Sequence, residues 1–139
     1  MANIRGLLGL AKRLKEIKGE FLTASEDVMK QTAARALQVA VFATRFDTGR
    51  AKGGWVITLG NVPADVEDRP EDKNGGPTIS EGNDEIVKFK IQEGSITLAN
   101  NVEYIIYLDQ GSPTNEPDNM TAEALQAALD FLRQKQLEL

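Results

Sequence analysis

Apolar residues at Ile4, Leu7, Leu8, Ala11, Leu14 and Ile17 recur at steps of three and four, with Arg5, Lys12, Lys15 and Glu16 between them. That period is one face of an amphipathic helix, and Gly19 is expected to end it. A second helix is expected from Thr23, which stands three residues before Glu26 in capping-box spacing, to about Thr44. It carries two apolar stripes, one of Met29, Ala33, Ala36, Leu37 and Ala40 and another of Val28, Val39, Phe42 and Phe46. Two stripes require two partners: the domain's own sheet, and either the first helix or a second subunit.

The period then falls to two. After a turn at Asp47, Thr48 and Gly49, Trp55, Ile57 and Leu59 alternate with Val56 and Thr58, which predicts a strand with one apolar face. Ile96 and Leu98 alternate with Thr97 and Ala99 and lead into Asn100 and Asn101, a second strand whose natural partner is the first. Between them, residues 61–82 carry Pro63, Pro70, Pro77, Gly75, Gly76 and many carboxylates but few large apolar groups, and read as a long, mobile acidic loop. Over 83–93 Val87, Phe89 and Ile91 alternate as in a strand while Ile86 and Phe89 share a helical face; the local pattern leans to strand. Tyr104 to Leu108 fits a buried strand or a short helix. Leu125, Ala128, Leu129 and Leu132 mark one face of a last helix, with Asn119 or Thr121 as its cap and Glu123 in the first turn, where the helix dipole favours it. The predicted fold class is α+β: a small antiparallel sheet packed against a long helix in the N-terminal half, with a C-terminal helix. The chain reads as a single domain over 1–139, with the amphipathic helix at 1–19 free to extend to a neighbour.

With 139 residues, 41% of them hydrophobic, the chain supports one core. It contains no cysteine and no histidine. The first absence removes disulfides, thiolate metal ligands and thiol nucleophiles; the second removes the usual general base and the commonest neutral metal ligand. The apolar residues near the N-terminus precede the basic ones, the wrong order for a signal peptide, and their run is too short to span a membrane. The chain is therefore expected to be unexported and to act without a cofactor, a metal or a membrane. Twenty-one acidic against 16 basic residues give a net charge of −5, which argues against sequence-specific or strong nucleic-acid binding. The charge is uneven. Residues 1–22 hold five basic and two acidic side chains and 63–73 hold five acidic and two basic ones, opposite patches that either attract neighbouring subunits head to tail or are simply solvated faces. Glu67, Asp68, Glu71 and Asp72 lack calcium-loop spacing, and a mobile loop cannot hold two carboxylates at a fixed separation for acid–base work.

Two clusters remain. The first is Phe46, Asp47, Thr48, Gly49, Arg50 and Ala51, then Gly54 and Trp55. The second is Ala99, Asn100, Asn101, Val102, Glu103 and Tyr104, then Leu108, Gly111, Ser112, Pro117, Asn119 and Met120. Together they resemble the bacteriophage tail-completion family related to minor tail protein Z, in which a DTGR-type turn with a nearby Trp is followed by an NN-x-x-Y segment, a Gly-Ser loop, a Pro and a Met. The likeness covers 46–120. It departs at Pro113 to Glu116, where the family more often has a Gln-Ala-like approach to the Pro, and at Asp118, where a Gly is common.

The resemblance implies an α+β domain in which the segment near Ile86 and Tyr104–Leu108 are helical. It also implies a non-enzymatic virion protein, assembled in the host cytoplasm as a homo-oligomeric ring, hexameric by the resemblance, that joins the tail tube to the head connector or neck. Arg50, Asn101, Tyr104, Tyr107, Ser112, Pro117 and Met120 are then the candidate contact residues. Residue by residue, Arg50 either bridges to a neighbour's carboxylate or caps its own turn, and Trp55 reads as core. Asn100 and Asn101 read more simply as turn residues. In a ring, an acidic loop of Asp65, Glu67, Asp68, Glu71 and Asp72 facing the channel would repel phosphate and let DNA pass without sticking. Two other functions compete: a peripheral membrane or regulatory module using the basic N-terminal helix, and, last, a carboxylate–metal enzyme, for which no acidic motif lies on a rigid element.

Overall fold

The computed structural model describes the backbone of residues 4–45, 49–61 and 69–138, and side chains over 24–45, 49–61 and 69–135. The elements run in the order α1 (Ile4–Ala43), α2 (Arg50–Gly53), β1 (Trp55–Leu59), α3 (Gly76–Val87), a 3₁₀ turn (Ile91–Glu93), β2 (Ile96–Asn100), α4 (Ile105–Gln110) and α5 (Met120–Glu138). The fold is α+β: a two-stranded antiparallel sheet packs on a long N-terminal helix, and α5 packs along that same helix.

The first two expected helices are one. α1 continues for 40 residues through Gly19, because a glycine inside a helix costs only about 0.5–1 kcal/mol and Lys18, Glu20, Phe21 and Leu22 around it include no proline. The expected capping box at Thr23 therefore does not form. The Glu26 carboxylate instead accepts a hydrogen bond from the Ile91 amide (3.1 Å) and pairs with Lys30 and Lys90, fastening the 3₁₀ turn to α1. That backbone bond, opposed by partial desolvation and assisted by Lys90 and Lys30, holds Glu26 below its ordinary pKa.

The strands pair as their alternation predicts. Trp55 faces Asn100, Ile57 faces Leu98 and Leu59 faces Ile96, so the apolar positions of both strands share one face. Trp55 and Ile57 are buried there against Leu37, Ala40 and Val41 of α1. α3 enters this layer at Gly82, where a Cβ would run into Leu37 Cδ2 and lie 3.4 Å from Ile57; the absent side chain lets the helix backbone approach both.

Two expectations fail between the strands. Residues 83–93 do not form a strand, and the expected loop over 61–82 gives way to α3 from Gly76 onward. Proline occupies the first turn of α3, where its missing N–H is no loss. The missing signal is a cap from upstream. Asp72, 7% exposed, accepts hydrogen bonds from the Gly75 amide (2.8 Å), the Thr78 amide (2.9 Å) and the Thr78 hydroxyl (2.6 Å), so it satisfies the free amides of the α3 N-terminus and complements its dipole.

At the centre, the Thr44 hydroxyl ties three elements together. Trp55 Nε1–H donates to Thr44 Oγ1 at 2.8 Å, while Oγ1 lies 2.7 Å from the Ala40 carbonyl oxygen and 2.8 Å from Met120 Sδ. A hydroxyl has one proton; the carbonyl, the stronger acceptor, takes it, and the thioether sits against the oxygen. Thr44 and Met120 are both shut off from solvent. Thr44→Val keeps the shape but strands the indole N–H in the core, and is expected to lower unfolding free energy by about 1–3 kcal/mol, read from urea denaturation followed by Trp55 fluorescence.

Candidate assembly site

The two sequence clusters meet. Gly49 has φ 81°, and a Cβ on it would lie 2.8 Å from the Lys73 amide nitrogen and 2.9 Å from Asp72 backbone atoms, so only glycine permits the close crossing of these two segments. Its carbonyl accepts from the amides of Gly53 (2.9 Å) and Asp72 (3.0 Å). From the short α2 that follows, Arg50 reaches the second cluster: Nη1 and Nη2 donate to Glu103 Oε1 and Oε2, both at 2.8 Å, and the guanidinium carbon lies 5.7 Å from the Tyr104 ring centroid. This fork holds the Glu103 carboxyl below the ordinary carboxylate range. Asn100 completes the joint; its side-chain amide donates to the Ala51 carbonyl (2.7 Å) while its side-chain oxygen accepts from the Val102 amide (3.1 Å). Arg50 thus makes its bidentate pair within its own chain.

Behind the joint lies Lys52, 5% exposed. Its ammonium donates to the Val41 carbonyl at 3.0 Å and lies 6.0 Å from the Phe42 ring centroid, placing positive charge at the negative end of α1. Burial lowers its pKa, against the opposing pull of Asp72 and Asp118. Arg45, just beyond α1, is held by Asp118 through its backbone amide (3.1 Å), Nε (3.0 and 3.1 Å) and Nη2 (2.7 Å), and its Nη2 also reaches the Glu116 carbonyl (2.7 Å). Asp118 is the acceptor that docks the 111–119 loop onto the end of α1.

The candidate contact residues divide by exposure. Tyr107 is 64% exposed on α4, beside Ile106 at 63%, and Pro117 is exposed against Gly111. Asn101, Tyr104 and Ser112 are half-buried, Ser112 bridging to Asn115. Met120 is a correction: fully buried at the Thr44 junction, it presents nothing to a neighbour. Asp72 is a second correction, since it is buried as the cap of α3 and has no free charge to present. Glu71 is exposed; Asp65, Glu67 and Asp68, with Phe46, Asp47 and Thr48 of the first cluster, lie outside the described residues. Among the described residues, no group of three or more carboxylates is placed to hold a metal.

No protein-family model, curated protein or solved structure matches this chain.

Sequence reasoning missed the face of α5. The stripe that marks the helix in the sequence is its outer face: Leu125 is 58%, Leu129 39% and Leu132 42% exposed, while Met120, Ala124 and Phe131 are buried. The helix has two apolar faces, and α1 takes the one bearing Phe131, whose ring lies under Arg35 at 5.7 Å. A wider, polar cleft of about 310 Å³ opens between β1 and α3; there Arg69 pairs with Glu81 (2.6 Å) and Lys88 with Glu85 (3.2 Å).

Burial raises the Asp72 pKa, but the bonds from Thr78, Gly75 and Asn74 outweigh it and hold the carboxyl below its ordinary value. A depressed folded-state pKa contributes stability that is present above the unfolded value and is lost as pH falls through the folded one. Asp72→Asn is therefore expected to be less stable than the parent by about 1.5–3 kcal/mol near neutral pH, with the gap narrowing below about pH 4, where free aspartate takes up its proton. Urea titrations from pH 7 to pH 2 measure this; a gap that does not change with pH would rule out the ionised cap.

Proposed function

We propose that the chain is a structural bacteriophage virion protein, a tail-completion or neck subunit that works by forming a ring between the tail tube and the head connector. What carries this reading is the joining of the two clusters that bear the resemblance: Arg50 with Glu103 and Tyr104, and Asn100 with Ala51, convert two segments far apart in sequence into one structural unit. On α4, close in sequence to that joint, Ile106 and Tyr107 are 63% and 64% exposed, an apolar and an aromatic side chain of the kind that protein–protein contacts use. The chemistry of such a subunit lies in complementary surfaces and ring closure, with no reacting group.

Light scattering of the pure protein is expected to give the mass of a multi-subunit ring, alone or on addition of tail-tube protein; a monomer that also fails to restore tail joining to defective particles would overturn the reading. Tyr107→Ala, at an exposed position, is expected to change stability by less than about 0.5 kcal/mol while lowering particle joining by about 5- to 30-fold, the effect of an interface residue contributing 1–2 kcal/mol. Joining at parental levels would remove Tyr107 from the interface.

A further inference from the structure

The sequence holds one Asn–Gly pair, Asn74–Gly75, and the fold places it in the turn that leads from Asp72 into α3. In such a pair the glycine nitrogen has no side chain beside it to hinder its approach to the Asn carboxamide. The reaction open to it is intramolecular. The Gly75 amide gives its proton to solvent base and its nitrogen attacks Cγ of Asn74; the bond from Cγ to the carboxamide nitrogen breaks, and ammonia leaves. Water then opens the cyclic imide at one of its two carbonyls. One opening gives aspartate, the other isoaspartate, in which the main chain runs through Cβ and Cγ.

The fold leaves the target open and ties down the nucleophile. Asn74 is exposed, whereas Gly75 is buried; its N–H donates to Asp72 Oδ1 at 2.8 Å and its carbonyl accepts from the Ile79 amide at 3.0 Å. The glycine is dictated by the turn, since φ is 87° and a Cβ would lie 2.6 Å from Val41 Cγ1. The nitrogen that must lose its proton and swing toward Asn74 therefore points that proton at a buried carboxylate. An amide anion formed beside ionised Asp72 would be repelled by it, in surroundings that screen little.

We propose that Asn74 is a deamidation site held closed by the Asp72 cap, and that isoaspartate formed there releases α3 irreversibly. The added main-chain methylene lengthens the turn between Asp72 and Gly75, and the new carboxylate stands near that of Asp72; both changes oppose the cap. The same turn carries the crossing to the first sequence cluster, where the Asp72 amide donates to the Gly49 carbonyl at 3.0 Å, so the modification loosens that crossing as well.

The full-length protein is aged at mildly alkaline pH, native and in guanidinium chloride, and its tryptic peptide from Asn74 to Lys88 is followed by tandem mass spectrometry. Asn83, exposed on α3, is an internal reference in the same peptide. Conversion at Asn74 is expected to be at least about tenfold slower in the native protein, because it waits on local opening. Asp72→Asn is expected to raise the native rate about 5- to 30-fold, the factor for 1–2 kcal/mol of lost cap. Thr78→Val, which keeps the carboxylate but removes the hydroxyl bond, is expected to raise it by less. Modified parent, separated by charge, is expected to unfold at lower denaturant, while aged Asn74→Gln, whose longer side chain closes the imide far more slowly, keeps its midpoint. Equal rates in native and unfolded protein, or in the parent and both faster variants, would overturn the guard. No conversion at Asn74 in unfolded protein would overturn the site, and modified protein with the parental midpoint would overturn the release of α3.

Discussion

The structure hangs on one hydroxyl. Thr44 closes α1 and receives the indole N–H of β1, and its oxygen rests on the sulfur that opens α5. None of these groups has water as an alternative partner, so the three elements keep their relative positions or a buried donor goes unpaired, which is costly in a low-dielectric core. The joint of Arg50, Glu103 and Asn100 lies directly downstream of that point in the chain, and Asp118 fixes the segment leading into Met120 by gripping Arg45. The placement of the candidate contact surface is therefore inherited from a junction that the surface itself does not touch.

A shared device ends the helices around this junction. Lys52 supplies positive charge to the last carbonyls of α1, Asp72 takes the first amides of α3, and Asp109 accepts the Thr121 amide at the start of α5 at 2.9 Å. In each case the capping side chain comes from outside the helix it caps. This makes the two buried charged groups among the described residues structural: Lys52 and Asp72 are each held by the free backbone groups of a helix end, where charge is stabilised with little solvent, while Asp109 makes the same kind of contact nearer the surface.

The same device explains what could be read from the sequence. The strands were legible down to their shared apolar face, because a period of two over Trp55–Leu59 and Ile96–Asn100 has one meaning when a single core is available. The burial of Trp55 followed from it. α3 was not legible, since its cap is Asp72 and the adjacent residue is Gly75; a search for a polar residue immediately before the helix finds nothing there. Gly19 misled in the opposite direction, as a local preference of under a kilocalorie per mole is overridden by good helix formers on either side. Met120 was placed among the contact residues, and the buried face of α5 went unread, for a different reason. Both α5 stripes have helical spacing, and nothing in the period of one helix says which stripe its neighbour will take.

That ambiguity in α5 has a physical resolution. A helix with apolar residues on two faces can satisfy only one of them against α1. The outer stripe of Leu125, Leu129 and Leu132 is the one left at the surface, and Leu132 edges an apolar groove with Met29, Ala33, Ala36, Ile96 and Leu98. The choice between the stripes is made where the helix begins: once Met120 is seated against Thr44, residues one and three turns further on, Ala124 and Phe131, follow it into the core, and the leucines are turned away.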